Sequence, residues 1–219
     1  MLSGIFVFDM DGTLLSKRTV DVLCSVFNLN ERLKSIDEIS STLPAYRVEE
    51  MVAKLFSGKN VSEMLSAFDS IPLNDGAEDF IGEVKAQGFL TAIATDSYTF
   101  LAIKLASKLK IDFVYGLDVE VRNNIFTGKI ISDYKCQEIP SCRRYYVCKL
   151  WFIRELKKKY MCPIVSIGDS ESDFCMSIGA DYSIAVNPKS KKLKEICKLN
   201  VKSFKDLLKL DINTFISGQ

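Results

Sequence analysis

Three short segments carry residues able to do chemistry together: Asp9-Met10-Asp11-Gly12-Thr13, Thr95-Asp96-Ser97 and Asp169-Ser170-Glu171-Ser172-Asp173, with Lys149 between the second and third. Each segment closes an apolar run, namely 4–8, 90–95 and 164–168. Such a run ending in a carboxylate or hydroxyl predicts a buried parallel strand that delivers its polar group at the carboxyl end. In an open α/β sheet those ends share one crevice. Four of these acids (Asp9, Asp11, Asp169 and Asp173), a hydroxyl and a lysine gathered there make an oxygen-lined Mg2+ site with room for a phosphate.

The elements that position these groups can be read from periodicity. A further apolar run at 182–186 stops at Asn187-Pro188 and predicts another strand. Amphipathic helices are expected over 77–87, 99–109 and 144–159. This alternation predicts an α/β fold, a Rossmann-like open parallel sheet. Residues 16–74 break the pattern. Helices are expected at 19–29, 46–56 and 61–68, with no strand, so this stretch reads as a small helical cap inserted after the first strand. The core is then 1–15 with 75–219. Residues 119–121 and 126–130 flank Asn123-Asn124 and predict a β-hairpin.

Composition narrows the chemistry. The chain has no histidine, which excludes Ser-His-Asp and Cys-His catalysis and HExxH zinc sites. Acid–base work must fall to carboxylates, Lys, Tyr or Cys. The formal net charge is +1, against a nucleic-acid footprint. No apolar run reaches a membrane span, and Met1-Leu2-Ser3-Gly4 has no basic n-region, so a cytoplasmic protein is expected. There are 7 cysteines and no CxxC, against a disulfide framework. Cys136, Cys142 and Cys148 are evenly spaced and admit a soft-metal reading, although zinc sites show tighter pairs. The lysines over 189–209 read as solvated helix faces. Glu171 reads as a first-turn helix residue in preference to a ligand.

Asp9-Met10-Asp11-Gly12-Thr13-Leu14 resembles the first motif of the haloacid dehalogenase superfamily, and three further motifs follow in the family's order over nearly the whole chain. Val119-Glu120-Val121 and Phe126-Thr127-Gly128-Lys129, with the insertion after the first motif, are similar to the phosphoserine-phosphatase-like members. The resemblance implies a phosphoric monoester hydrolase working on a small-molecule phosphate ester. Asp9 would be the nucleophile forming an aspartyl-phosphate, and Asp11 the acid and then the base. Gly12, Thr95, Asp96 and Lys149 would bind phosphate, although Lys135, Arg143 or Arg144 are alternatives to Lys149. Mg2+ would be held by Asp9, Asp11 (through its carbonyl) and Asp169, with Asp173 supporting that shell.

The chain departs from the phosphoserine phosphatases at Thr95-Asp96-Ser97-Tyr98, in its fourth motif, and at Arg18, where a glutamate usually meets the substrate ammonium. Arg18 in that position is expected to repel an ammonium and attract an anionic leaving group. Tyr46, Arg47 and Lys54 are further candidates for specificity. The same residues would serve a phosphotransferase passing the phosphoryl group to an alcohol. A DxD nucleotide-sugar transferase and a phospho-receiver module fit less well, because Gly12-Thr13, the later motifs and the insertion have no place in them. A monomer or homodimer is expected.

Overall fold

The four residues of β1 (Ile5–Phe8) are completely buried and divide by parity between the two faces of a sheet. Phe6 and Phe8 meet Phe80, Phe89, Phe204 and Phe215 on one face. Ile5 and Val7 pack with Ile153, Leu156 and Met176 on the other. Burial on both faces is what a continuous apolar strand requires.

The computed structural model describes residues 3–133, 139 and 142–216. After β1 come four helices, α1 (Thr19–Val26), α2 (Asn30–Ser40), α3 (Ala45–Leu55) and α4 (Val61–Asp69). Next are α5 (Ala77–Ala86), β2 (Leu90–Tyr98), α6 (Thr99–Leu109), β3 (Phe113–Leu117), β4 (Val119–Arg122) and β5 (Ile125–Ile130). The chain continues through α7 (Lys149–Tyr160), β6 (Ile164–Gly168), α8 (Phe174–Gly179), β7 (Tyr182–Val186), α9 (Lys191–Ile196), β8 (Leu199–Val201) and α10 (Phe204–Leu207). Six strands form a parallel sheet in the order β3-β2-β1-β6-β7-β8, and β4 with β5 form a separate antiparallel hairpin. The expected α/β open sheet is the observed one.

The register explains the gathering of the site. Phe8 pairs with Ile93 on one side and Ile167 on the other, so the chain leaves β1, β2 and β6 at one level. The order reverses at β1, where strands depart to either side, and this opens a crevice at the carboxyl edge. The β2–β3 register shifts between Ala94 and Tyr98, which frees Thr95-Asp96-Ser97 from regular pairing.

Four details differ from the sequence expectation. Helix α7 begins at Lys149 and not at 144, because Arg144 adopts φ 60, incompatible with a helix. Helix α2 had no strong apolar stripe and was not expected; it buries only Leu33 and Ile36. Strands β3 and β8 were also unexpected. The first is only partly buried along most of its length and the second has 3 residues. The hairpin turns where expected, with Asn123 and Asn124 both left-handed.

Main-chain hydrogen bonds tie the helices α1–α4 to the rest of the molecule. Ser16 N–H donates to the Pro72 carbonyl (2.9 Å) where the chain leaves and re-enters the sheet layer. The hairpin pairs with 58–61 through Gly58 N–H to Phe126 O (2.8 Å) and Phe126 N–H to Lys59 O (2.9 Å). Ala45 and Tyr46 N–H groups donate to the Arg143 and Arg144 carbonyls (2.7 and 2.9 Å). No helix among the described residues is long and apolar enough to cross a membrane.

Candidate active site

Lys149, Asp9 and Asp173 lie at the centre of the crevice. Lys149 heads α7 and is 2% exposed. Its Nζ stands 2.7 Å from Asp9 Oδ1 and 2.7 Å from Asp173 Oδ1, with Asp96 Oδ2 at 4.0 Å. A buried lysine persists only when its charge is met, and these acids hold its pKa well above the usual value despite desolvation. Burial, then Asp173, pushes Asp9 upward, and Lys149 opposes them.

Asp169 follows β6 and is buried. Its Oδ1 accepts from Thr13 Oγ1 (3.2 Å), and Lys189 Nζ approaches Oδ2 at 2.7 Å. Asp173 closes a 3-10 turn over residues 171–173. Its Oδ2 accepts from the N–H groups of Asp169 and Ser170 (3.0 Å each), so both its oxygens are engaged. Asp11 is turned toward α1, where Oδ1 accepts from Thr19 N–H (3.0 Å) and Thr19 Oγ1. Burial nonetheless raises its pKa to about 6. Thr95 Oγ1 accepts from Ser97 N–H (3.1 Å). Asp96 is likewise pushed up to about 6 by burial, with Lys149 opposing.

Gly12 has φ 87, and a Cβ there would lie 2.5 Å from Asp169 Oδ2 and 2.6 Å from Lys189 Nζ. The backbone can approach this point only without a side chain. Asp9, Asp169 and Asp173 each bring a carboxylate oxygen within 4.8 Å of the others. This all-oxygen set fits a hard divalent cation. The Lys189 ammonium, on a mostly exposed stem, stands against Asp169 as a cation would. Asp173 is held by buried Lys149 and by two main-chain N–H groups, whereas Asp169 Oδ2 meets only the ammonium of a mostly exposed lysine that a metal ion can displace, so Asp9 and Asp169 are the acids fitted to direct ligation.

A cavity of about 360 Å3 opens above these groups, within the range of small-molecule sites. Asp9, Asp11, Thr95, Asp96 and Asp169 line its floor, and α1 and α3 contribute its roof. On α3 the lining residues are Ala45, Val48, Glu49 and Val52, one helical face. Tyr46, Arg47 and Lys54 were candidates from sequence but fall off that face and do not line the cavity. Arg47 instead pairs with Glu50 (2.9 Å) and lies over the Tyr46 ring. Arg18 does line the cavity, but its guanidinium is held by Asp21 (3.4 Å) and Asp37 (3.5 Å). Arg18 is therefore not an unpaired cation at the cavity wall.

Lys189 was read as a solvated lysine and is instead part of the site. It follows the end of β7, so the strand-end rule that found the other groups could have found it. Glu49, Tyr98 and Tyr145 also line the cavity and were missed, since nothing local marks them. Of the alternatives to Lys149, Arg143 donates to the Ser40 and Leu43 carbonyls, Arg144 is exposed, and Lys135 lies outside the described residues. Cys136 also lies outside them. Cys142 and Cys148 pack with Cys175, Leu150 and Phe174 in an apolar cluster, and the metal-competent group among the described residues is the aspartate one. Glu171 sits in the first turn and faces Lys192 (3.5 Å).

A family model for haloacid dehalogenase-like hydrolases matches residues 6–177, and the chain belongs to that family of enzymes. The phosphoserine phosphatase of Idiomarina loihiensis is 27% identical over 189 residues, covering 85% of this chain and 83% of that one. The phosphoserine phosphatase of Methanocaldococcus jannaschii is 22% identical over 219 residues, covering 94% and 96%. A solved phosphoserine phosphatase with a phospho-aspartyl intermediate analogue superposes with a TM-score of 0.81 at 21% identity, covering 95% of this chain and 99% of that chain. At that identity the superposition speaks for the fold.

Proposed function

We propose that the chain is a Mg2+-dependent phosphomonoesterase that hydrolyses a small phosphate ester through an aspartyl-phosphate on Asp9. The observation that carries this reading is the buried Lys149 bridging Asp9 and Asp173 beneath a cavity also lined by Asp11, Thr95 and Asp169. Residues 16–74 serve as the cap, and the site is complete within one chain. A cytoplasmic location is part of this reading.

Asp9 and Asp169, with the Asp11 carbonyl, would hold Mg2+, which when bound offsets the negative charge of the phosphoryl group. An Asp9 carboxylate oxygen attacks phosphorus, and the bond to the ester oxygen breaks. The Asp11 carboxyl, protonated in part near neutrality, gives its proton to the departing alkoxide. Asp11 then takes a proton from water as that water attacks phosphorus, and the Asp9–phosphorus bond breaks to free phosphate. Lys149 neutralises charge on Asp9 and on the phosphoryl oxygens. The Thr95 hydroxyl donates to one of those oxygens, and Gly12 lets main chain approach them. Asp96 serves by its main-chain N–H, since its carboxylate would repel phosphate. Asp173 fixes Lys149 and the turn that carries Asp169.

The test is phosphate release from a panel of esters including phosphoserine, with Mg2+ and with chelator. Activity that is restored by Mg2+ and lost in Asp9→Asn is expected. Full activity in excess chelator would refute the metal assignment, and quantitative transfer to an added alcohol would make the enzyme a phosphotransferase.

A further inference from the structure

The place of the leaving group follows from Asp11. Its Oδ1 is held by the N–H and the hydroxyl of Thr19, the first residue of α1. Asp11 protonates the departing oxygen in the reading above, so the carbon body of the alcohol lies under the start of α1. Val20 and Leu23, three positions apart there, line the cavity, and Val48 and Val52 line it one turn apart on α3. Those spacings put each pair on one face of its helix. Leu117, at the end of β3, joins them. Val20, Val48 and Val52 are only partly covered by the rest of the protein, whereas Leu23 and Leu117 are buried. The wall beside the departing oxygen is therefore hydrocarbon that an alcohol's chain can cover.

The charged groups around this wall are engaged elsewhere. Arg18 faces Asp21 and Asp37, Lys149 faces Asp9 and Asp173, and Lys189 faces Asp169. Arg143 donates to the Ser40 and Leu43 carbonyls. Glu49, on the α3 face with the two valines, accepts from Tyr146 N–H at Oε2 (2.9 Å). Burial, then Asp96, pushes its carboxyl up toward the uncharged form. An ionised group carried against this wall would give up water for hydrocarbon, which is costly. For an alkyl chain the same transfer is favourable.

We propose that the substrate is the phosphate monoester of an uncharged alcohol with an aliphatic chain, seated against Val20, Leu23, Val48 and Val52. This rests on the phosphomonoesterase reading and names its substrate class. The phosphoryl group then meets the polar floor of Asp9, Thr95 and Lys149, and the chain meets the aliphatic roof. The four side chains set specificity and take no part in the bond changes at phosphorus.

The experiment measures kcat/KM for methyl, ethyl, propyl and butyl phosphate, whose leaving alcohols are of nearly equal acidity and differ in chain length alone. In the wild type it should rise about three- to fourfold per methylene, the fold-change of burying one CH2 group. Propyl phosphate should exceed phosphoethanolamine, which carries an ammonium in place of the terminal methyl, by about tenfold or more, and phosphoglycolate likewise. Val48→Thr combined with Val52→Thr keeps the side-chain shape and puts hydroxyls in the wall. It should lower butyl phosphate about tenfold more than methyl phosphate. A merely structural role for the two valines would lower both esters by the same factor. The inference is overturned by a flat series in the wild type, by a slope that survives in the double variant, or by faster turnover of phosphoethanolamine or phosphoglycolate than of propyl phosphate. Each of these outcomes leaves the phosphomonoesterase reading in place. Failure to release phosphate from any ester, p-nitrophenyl phosphate included, overturns that reading and this inference with it.

Discussion

Lys149 and Asp9 illustrate how much rests on single buried charges. Removing Lys149 leaves Asp9 and Asp173 facing each other with no cation between them, at a site almost sealed from water. Breaking one partner out of a buried ion network costs about 3–5 kcal/mol. Lys149→Met is therefore expected to lose about that much stability in urea unfolding at neutral pH, along with activity. Asp9→Asn is a milder change for the fold, because Lys149 keeps Asp173 as its partner. It should cost less than about 2 kcal/mol while cutting turnover roughly a thousandfold or more, as loss of a covalent nucleophile does. Equal destabilisation by the two variants would argue against the network described.

The loop between β1 and the first helix is held at a different level. Asn74 Nδ2 lies within reach of the carbonyls of Gly12 (2.9 Å), Thr13 (2.6 Å) and Leu15 (3.2 Å), tying the site loop to the segment that leads into α5. Asn74→Asp turns that donor into a carboxylate facing three acceptors and should destabilise the protein by about 2–3 kcal/mol, with weaker metal affinity. Thermal melting with and without Mg2+ measures both. Gly12→Ala adds a methyl group against Asp169 at φ 87. It should abolish activity and cost about 1–3 kcal/mol of strain. A fully active Gly12→Ala would show that the close approach at Asp169 has no part in catalysis.

Across the whole molecule, the acid cluster makes stability depend on pH. Asp11 and Asp96 titrate near 6 in the folded chain because they are buried, whereas unfolded aspartates titrate at about 3.9. Between those values the folded chain holds protons on these two acids that the unfolded chain has released, so their contribution to stability falls as pH rises through this window and levels off above about 6. Their contribution is thus greatest on the acid side. Urea unfolding of the metal-free protein from pH 4 to 8 should show this slope, reduced in Asp96→Asn. Mg2+ should flatten it by giving the ionised acids a counter-charge. A slope of opposite sign in the Asp96 difference curve would contradict the burial described.

The core strands, the hairpin turn and the site acids were legible in the sequence because each is a local pattern: an apolar run ended by a polar group, or two asparagines between alternating residues. The same locality explains the misses. Helix α2 lacks an apolar stripe, and β3 and β8 are edge pieces defined by their neighbours. The surroundings of Arg18, Glu49 and Lys189 are set by side chains that are distant in sequence. Arg18 was legible as a cation near the site, but only the fold sets Asp37 against it. Glu49 is one acid among 28 Asp and Glu residues in the chain. Only the packing of α3 over the crevice turns it to the cavity wall and sets Tyr146 N–H against its carboxylate, because burial and charge pairing are properties of groups brought together in space and not of their order along the chain.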